Sequence, residues 1–271
     1  MQTSQPIDII FTELDSTTVL HESIEDQLVS KTAGIPQLQS RSNSLLILPN
    51  CISRSHSVEQ LIRAARLLDR ELLDWSSNLP ISWKYSAATH LSSHSDFIPQ
   101  YLHRYVNSYT ARVWNLFRVS RLIVQSIILR GISWLGGSLP TNPKGLSVID
   151  IESNIRELVN DICASVSFLL GHDLSKMKEP AANESSNKNS RRPLPNSLSR
   201  GDVPTISGRF SLIWPLYIGS SVSSVPHEQR RWMRTQLKLI GESGEPQARV
   251  LYDRESQTLS GGIEAFRFDC V

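Results

Sequence analysis

Residues 99–131 read PQYLHRYVNSYTARVWNLFRVSRLIVQSIILRG. The apolar side chains Leu102, Tyr105, Val106, Tyr109, Val113, Leu116, Phe117, Ile123, Val124, Ile127 and Ile128 return every three or four positions, the spacing that lines one face of an α-helix. The pattern predicts one long helix from Pro99, with Gly131 just beyond it as the stop. Such a helix would be about 45 Å long and is expected to be the spine of the domain.

Helices are expected on both sides of it. Ser57 precedes a periodic run at Val58, Leu61, Ile62, Ala65, Leu68 and Leu72, and Gln60 completes a capping-box pattern, which predicts a helix over 58–76. Leu79-Pro80 ends it, because proline cannot donate into the ladder and pushes its predecessor out of the helical region. Residues from there to about 98, rich in Ser and His, read as loop. A helix over 147–170 carries Ile151, Ile155, Leu158, Val159, Ile162, Val166 and Leu169 on one face and Gly171 at its end. Residues 208–221, GRFSLIWPLYIGSS, are apolar on nearly every side and read as a buried helix kinked or started at Pro215. Pro226 suits the first turn of a helix reaching Ile240, with Gly241 just past it, and a short helix is expected over 246–257.

Nowhere does a two-residue alternation run long enough for a sheet, so the expected class is all-α, an irregular multi-helix domain with a long central helix and a disordered loop. That loop is placed at about 175–205, where Asn, Ser, Lys, Arg and Pro dominate and too little apolar surface is present to offset the entropy of ordering. The expected organisation is an acidic, partly disordered arm over 1–56, the helical domain over 57–257 interrupted by the loop, and a tail over 258–271.

The chain has 271 residues, 39% of them apolar and 20% charged, enough to bury a real core, and a net charge of +2 that implies no nucleic-acid binding by bulk electrostatics. The charge is uneven: residues 1–30 carry Asp8, Glu13, Asp15, Glu22, Glu25 and Asp26 and no Lys or Arg. This segment has the composition of an activation segment that folds onto a coactivator, or of an arm laid on the basic remainder of the chain. Cys51, Cys163 and Cys270 have neither metal-ligand spacing nor an even count, which argues against a disulfide framework and a structural zinc site. The first residues lack the basic and continuous apolar parts of a signal peptide, and no stretch approaches the roughly 20 apolar residues of a membrane span, so a soluble intracellular protein is expected.

Four tryptophan-bearing segments share an order and a spacing: Leu72, Trp75, Leu79 and Pro80; Trp114, Asn115, Arg118 and Arg121; Trp214 and Pro215; and Trp232, Ile240, Gly241 and Glu242. In this the chain resembles the C-terminal regulatory domain of fungal transcription factors whose DNA-binding part is a six-cysteine binuclear zinc cluster. The resemblance covers roughly residues 58–253. It implies an irregular helical regulatory domain, a nuclear location, no enzymatic chemistry and no cofactor. Three isolated cysteines cannot build the zinc module, which needs closely spaced Cys-x-x-Cys pairs, so direct sequence-specific DNA binding by that route is not expected of this chain. The expected partners are proteins, a DNA-binding relative or a coregulator, together with a small-molecule effector held in the helical core. Two other readings stand beside it: a truncated family member without function of its own, and a helical ligand carrier or enzyme with Trp114, Trp214 and Trp232 around a cavity.

Four clusters bear on chemistry. Arg118 and Arg121 lie one turn beyond Trp114 and are expected to meet Glu157 or Asp161 on the next helix in an ion pair that fixes register, or else to hold a ligand anion. Arg230, Arg234 and Lys238 repeat every four residues and form a basic stripe, either a solvated face or a groove for phosphates or an acidic peptide. His90, Ser92, Ser93, His94 and Asp96, with His103 nearby, have a superficial metal or triad look, but lie in loop and lack the glutamate of zinc proteases. Residues 241–244, GESG, follow a helix instead of a strand and do not make a nucleophile elbow. No catalytic, cofactor-binding or metal-ligating residues are assigned.

Overall fold

A computed structural model describes residues 23–47, 52–89, 97–136, 147–172, 174 and 206–253. The described chain is all-α apart from one small sheet: α1 (Ile24–Thr32), α2 (Ile35–Leu46), α3 (Ile52–Ser77), a 3-10 turn (Ile81–Trp83), β1 (Ser86–Thr89), β2 (Tyr101–Arg104), α4 (Ser108–Trp134), α5 (Val148–Leu169), α6 (Ile206–Ser220), α7 (His227–Glu242) and α8 (Pro246–Asp253).

The 27-residue α4 is the spine: it packs against α5, α3, α6 and α2, and its side chains are buried on nearly every side. It begins nine residues later than the spacing suggests. Asn107 is extended and its side-chain oxygen accepts from Thr110 N–H at 2.8 Å, which starts the helix there. Residues 101–104 instead form β2, paired antiparallel with β1 so that Ala87 faces His103 and Ala88 faces Leu102. Leu102 and Tyr105 satisfied a helical spacing, but Tyr101, His103 and Tyr105 alternate as a strand and project their polar ends to one side.

Two of the three glycines read as stops lie inside their helices, where they permit close packing. A Cβ on Gly131 would stand 2.8 Å from Ile62 Cγ1 of α3, and one on Gly241 would stand 3.0 Å from the Arg249 backbone nitrogen of α8. The chain turns away further on, at Gly136 (φ 80°) after α4 and Gly244 (φ 110°) after α7, where left-handed backbone favours glycine. The Gly171 stop of α5 is as expected, with φ 76°, and so is its start, a capping box of Ser147 and Asp150. The capping box expected at Ser57 does not form, because α3 starts upstream at Ile52 and runs through it. Pro215 sits within a continuous α6, and α7 begins right after Pro226 and extends to Glu242.

Part of the segment read as an arm is helical and packed. Leu28 of α1 and Ile35 of α2 are wholly buried, Trp75 Nε1 of α3 donates to the Ile24 carbonyl at 3.3 Å, and Arg112 of α4 pairs with Glu25 at 2.9 Å. The rest of that arm, residues 1–22, together with the loop at 175–205 and the tail beyond 253, lies outside the described residues.

Candidate functional site

The most concentrated polar chemistry surrounds Arg118, whose side chain is 1% exposed at the middle of the helix stack. Its Nη1 donates to Tyr105 Oη at 2.7 Å and to Asn115 Oδ1 at 2.9 Å, and its Nε stands 3.6 Å from Asp161 Oδ2 of α5. Asn115 in turn donates to Ser165 Oγ of α5 at 2.9 Å, a second polar tie between the same two helices. The guanidinium carbon is 5.0 Å from the Tyr85 ring centroid, 5.6 Å from that of Trp114 and 5.7 Å from that of Tyr105, so aromatic faces supply what water would otherwise provide.

Asp161 gathers the remaining partners: Tyr85 Oη donates to its Oδ2 at 3.2 Å and Tyr101 Oη to its Oδ1 at 3.4 Å, while His103 Nε2 faces Oδ1 at 3.7 Å. His103 is neutral here, because burial first and the Arg118 charge second hold its pKa down to about 2. A neutral imidazole offers one donor and one acceptor. Arg118 Nη2, which can only donate, stands 3.3 Å from His103 Nδ1, so Nδ1 accepts, from it and from Tyr105 Oη at 3.0 Å, and the His103 proton lies on Nε2 facing Asp161. Burial raises the Tyr85 and Tyr105 phenols, and pushes Tyr101, with Asp161 adding to it, up to about 12. Burial alone would lower the Arg118 pKa, but Tyr105, Tyr85 and Asp161 outweigh it and the pKa is raised. All three phenols therefore stay protonated and Arg118 stays charged at neutral pH. The cluster ties β2, α4 and α5 together.

Of the two expected carboxylates, Asp161 meets Arg118 and Glu157 is exposed. Arg121 turns the other way, to a partner the sequence did not suggest: its Nε and Nη2 donate to Asp69 of α3 at 2.8 and 3.2 Å. The basic stripe on α7 is largely occupied within the molecule. Arg234 donates to the carbonyls of Leu251 and Tyr252 and lies 5.4 Å from the Tyr252 ring centroid, and Lys238 stands 5.9 Å from that ring and 3.8 Å from Glu242. His90, Ser92, Ser93, His94 and Asp96 fall outside the described residues, whereas His103 belongs to the Arg118 cluster. Among the described residues no group of three His, Cys, Asp or Glu side chains is placed to hold a metal ion.

The tryptophans do not surround one space. Trp114 donates to the Trp83 carbonyl at 2.8 Å and packs edge-on against Trp75, Tyr85 and Phe117; Trp214 stacks on Tyr217; Trp232 meets Phe97. A cavity of about 470 Å³ lies elsewhere, between the C-terminal half of α4, the first turns of α5 and the turn after α6, with Trp134 and Arg130 in its wall. Neither residue stood out in the sequence, since an Arg and a Trp near a helix end are common on ordinary surfaces.

No helix among the described residues is long and apolar enough to cross a membrane. No family profile and no solved structure matches the chain. A curated relative does: the chain is similar to "Transcription factor dbaG" of Emericella nidulans, 27% identical over 212 residues. The match covers 76% of this chain but 46% of the relative, so the chain spans about half the length of the protein it matches. The chain is thus a helical domain with a buried arginine network at its middle and a distant likeness to a protein named as a transcription factor.

Proposed function

We propose that this chain is a transcription-factor-like regulator whose helical domain acts in the nucleus through protein contacts, with a DNA-binding relative or a coregulator as partner and without a zinc-cluster module within these residues. The observation that carries the reading is the likeness to dbaG across three quarters of the chain. Two features support it. The buried polar cluster at the heart of the fold ties its helices and sheet together, as suits a scaffold. The three cysteines, Cys51, Cys163 and Cys270, are too far apart in sequence to form a binuclear zinc cluster.

Tethering tests the reading. The chain is fused to a heterologous DNA-binding domain in a filamentous fungus and a reporter with the matching operator is measured. Reporter output should change severalfold in either direction relative to the DNA-binding domain alone, and the isolated chain should bind no operator DNA at physiological salt. An unchanged reporter, with the fusion present in the nucleus at normal abundance, refutes a regulatory role by protein contact.

A further inference from the structure

Four arginines lie along α4, and three of them have carboxylate partners: Arg112 with Glu25 at 2.9 Å, Arg118 with Asp161 at 3.6 Å and Arg121 with Asp69 at 2.8 Å. Arg130, the fourth, has none among the described residues. It is half-buried in the wall of the 470 Å³ cavity, and burial lowers its pKa. Glu152 of α5 lines the same cavity and, among the described residues, forms no ion pair with Arg130. Leu46, Leu129, Trp134, Val148, Ile155 and Val222 supply its apolar surface. An arginine near a helix C-terminus has a simpler use, completing the helix dipole. That use is served as well from open solvent and gives no reason to line a cavity with apolar side chains and sink the guanidinium into it.

We infer that this cavity is a binding site for a small monocarboxylate with an apolar body, the carboxylate on Arg130 and the body against Trp134, Leu129, Val148 and Val222. A guanidinium fork matches a carboxylate with two parallel hydrogen bonds, and the volume falls within the roughly 300–1,000 Å³ of small-molecule sites. Glu152 makes the site selective: its charge opposes a second carboxylate, so dianions of the same size bind more weakly. The inference names a site and ligand class for the effector of the regulatory reading, and binding is measured on the isolated protein, so its failure leaves the tethering result untouched.

The probe is 1-anilinonaphthalene-8-sulfonate, an aromatic anion whose fluorescence rises in apolar surroundings. It should bind saturably at one site and be displaced by 3-phenylpropionate, but hardly by 3-phenylpropan-1-ol or by phenylsuccinate. Arg130→Gln should weaken 3-phenylpropionate by roughly tenfold, the loss of one charge-assisted contact. Arg130→Lys should recover part of that, keeping the charge but not the fork. Ser133 is exposed at the rim, so Ser133→Trp should fold and block entry. Equal displacement by the alcohol and the acid on the unaltered protein, unaltered probe binding in Ser133→Trp, or wild-type affinity in a folded Arg130→Gln each overturns the assignment.

Discussion

His103 carries the clearest pH consequence of any single residue. Its folded pKa is about 2, against roughly 6.5 for an unperturbed histidine, because it is buried beside a fixed arginine charge. Below pH 6.5 the unfolded chain takes up a proton that the folded chain refuses, so stability contributed by neutral His103 is present above that pH and is lost as pH falls toward 2. The slope from this one group is about 1.4 kcal/mol per pH unit. Denaturant titrations at pH 7.5, 6.0 and 5.0 should therefore show a steeper loss in the natural protein than in His103→Asn, whose amide still accepts from Tyr105 but does not titrate. Parallel losses in the two proteins would mean that His103 is hydrated and free to protonate. The residue's role was hidden in the sequence, where it stood only as a neighbour of His90 and His94 in a stretch with a superficial metal look. The alternation of Tyr101, His103 and Tyr105 was the available signal, and three positions are too few to override a helical spacing that continues for twenty more.

At the level of elements, the contact of α3 with α4 depends on an absent side chain. Gly131→Ala would gain about 1 kcal/mol of helix propensity in isolation, but the added Cβ meets Ile62 Cγ1 at 2.8 Å and Cδ1 at 3.0 Å. Ile62 is β-branched and buried, so it cannot swing clear, and the net effect should be destabilisation of about 1–2 kcal/mol. In an Ile62→Ala background the same change should become neutral or stabilising. Additive effects of the two substitutions in chemical unfolding would show that the helices separate easily. Helix identities were well marked in the sequence, because three-four periodicity persists wherever one face is buried, and Ser147 with Gly171 bracketed α5 closely. Helix ends at Gly131 and Gly241 were misplaced for one physical reason: a glycine needed for close approach and a glycine needed for left-handed backbone look the same in one dimension. The pairing of Arg121 with Asp69 was unreadable for another, since it joins residues 52 positions apart on two helices and depends on how α3 crosses α4.

For the molecule as a whole, the N-terminal helices belong to the domain they cover. Removal of residues 1–33 takes away Leu28, which is fully buried, and the Ile24 carbonyl that accepts from Trp75. The Arg112–Glu25 pair lost with them is half-exposed and contributes little. Together the losses should lower unfolding free energy by about 2–4 kcal/mol and shift tryptophan emission to longer wavelength as Trp75 meets water. An unchanged midpoint and spectrum would make α1 a dispensable appendage. Composition alone could not anticipate this, because an acidic amphipathic segment reads the same whether it folds onto its own basic domain or onto another protein.

Arg118 depends on side chains from three stretches of chain, and the groups those stretches supply also bond to one another. Loss of any one leaves the others dry and unmatched, which costs more than the cluster contributes, whereas apolar replacement of all of them at once is close to neutral. Tyr85, His103, Tyr105, Arg118 and Asp161 are therefore coupled as one energetic unit. Among descendants of this chain the five should be kept together or discarded together, behaving as one letter spelled across seventy-seven positions.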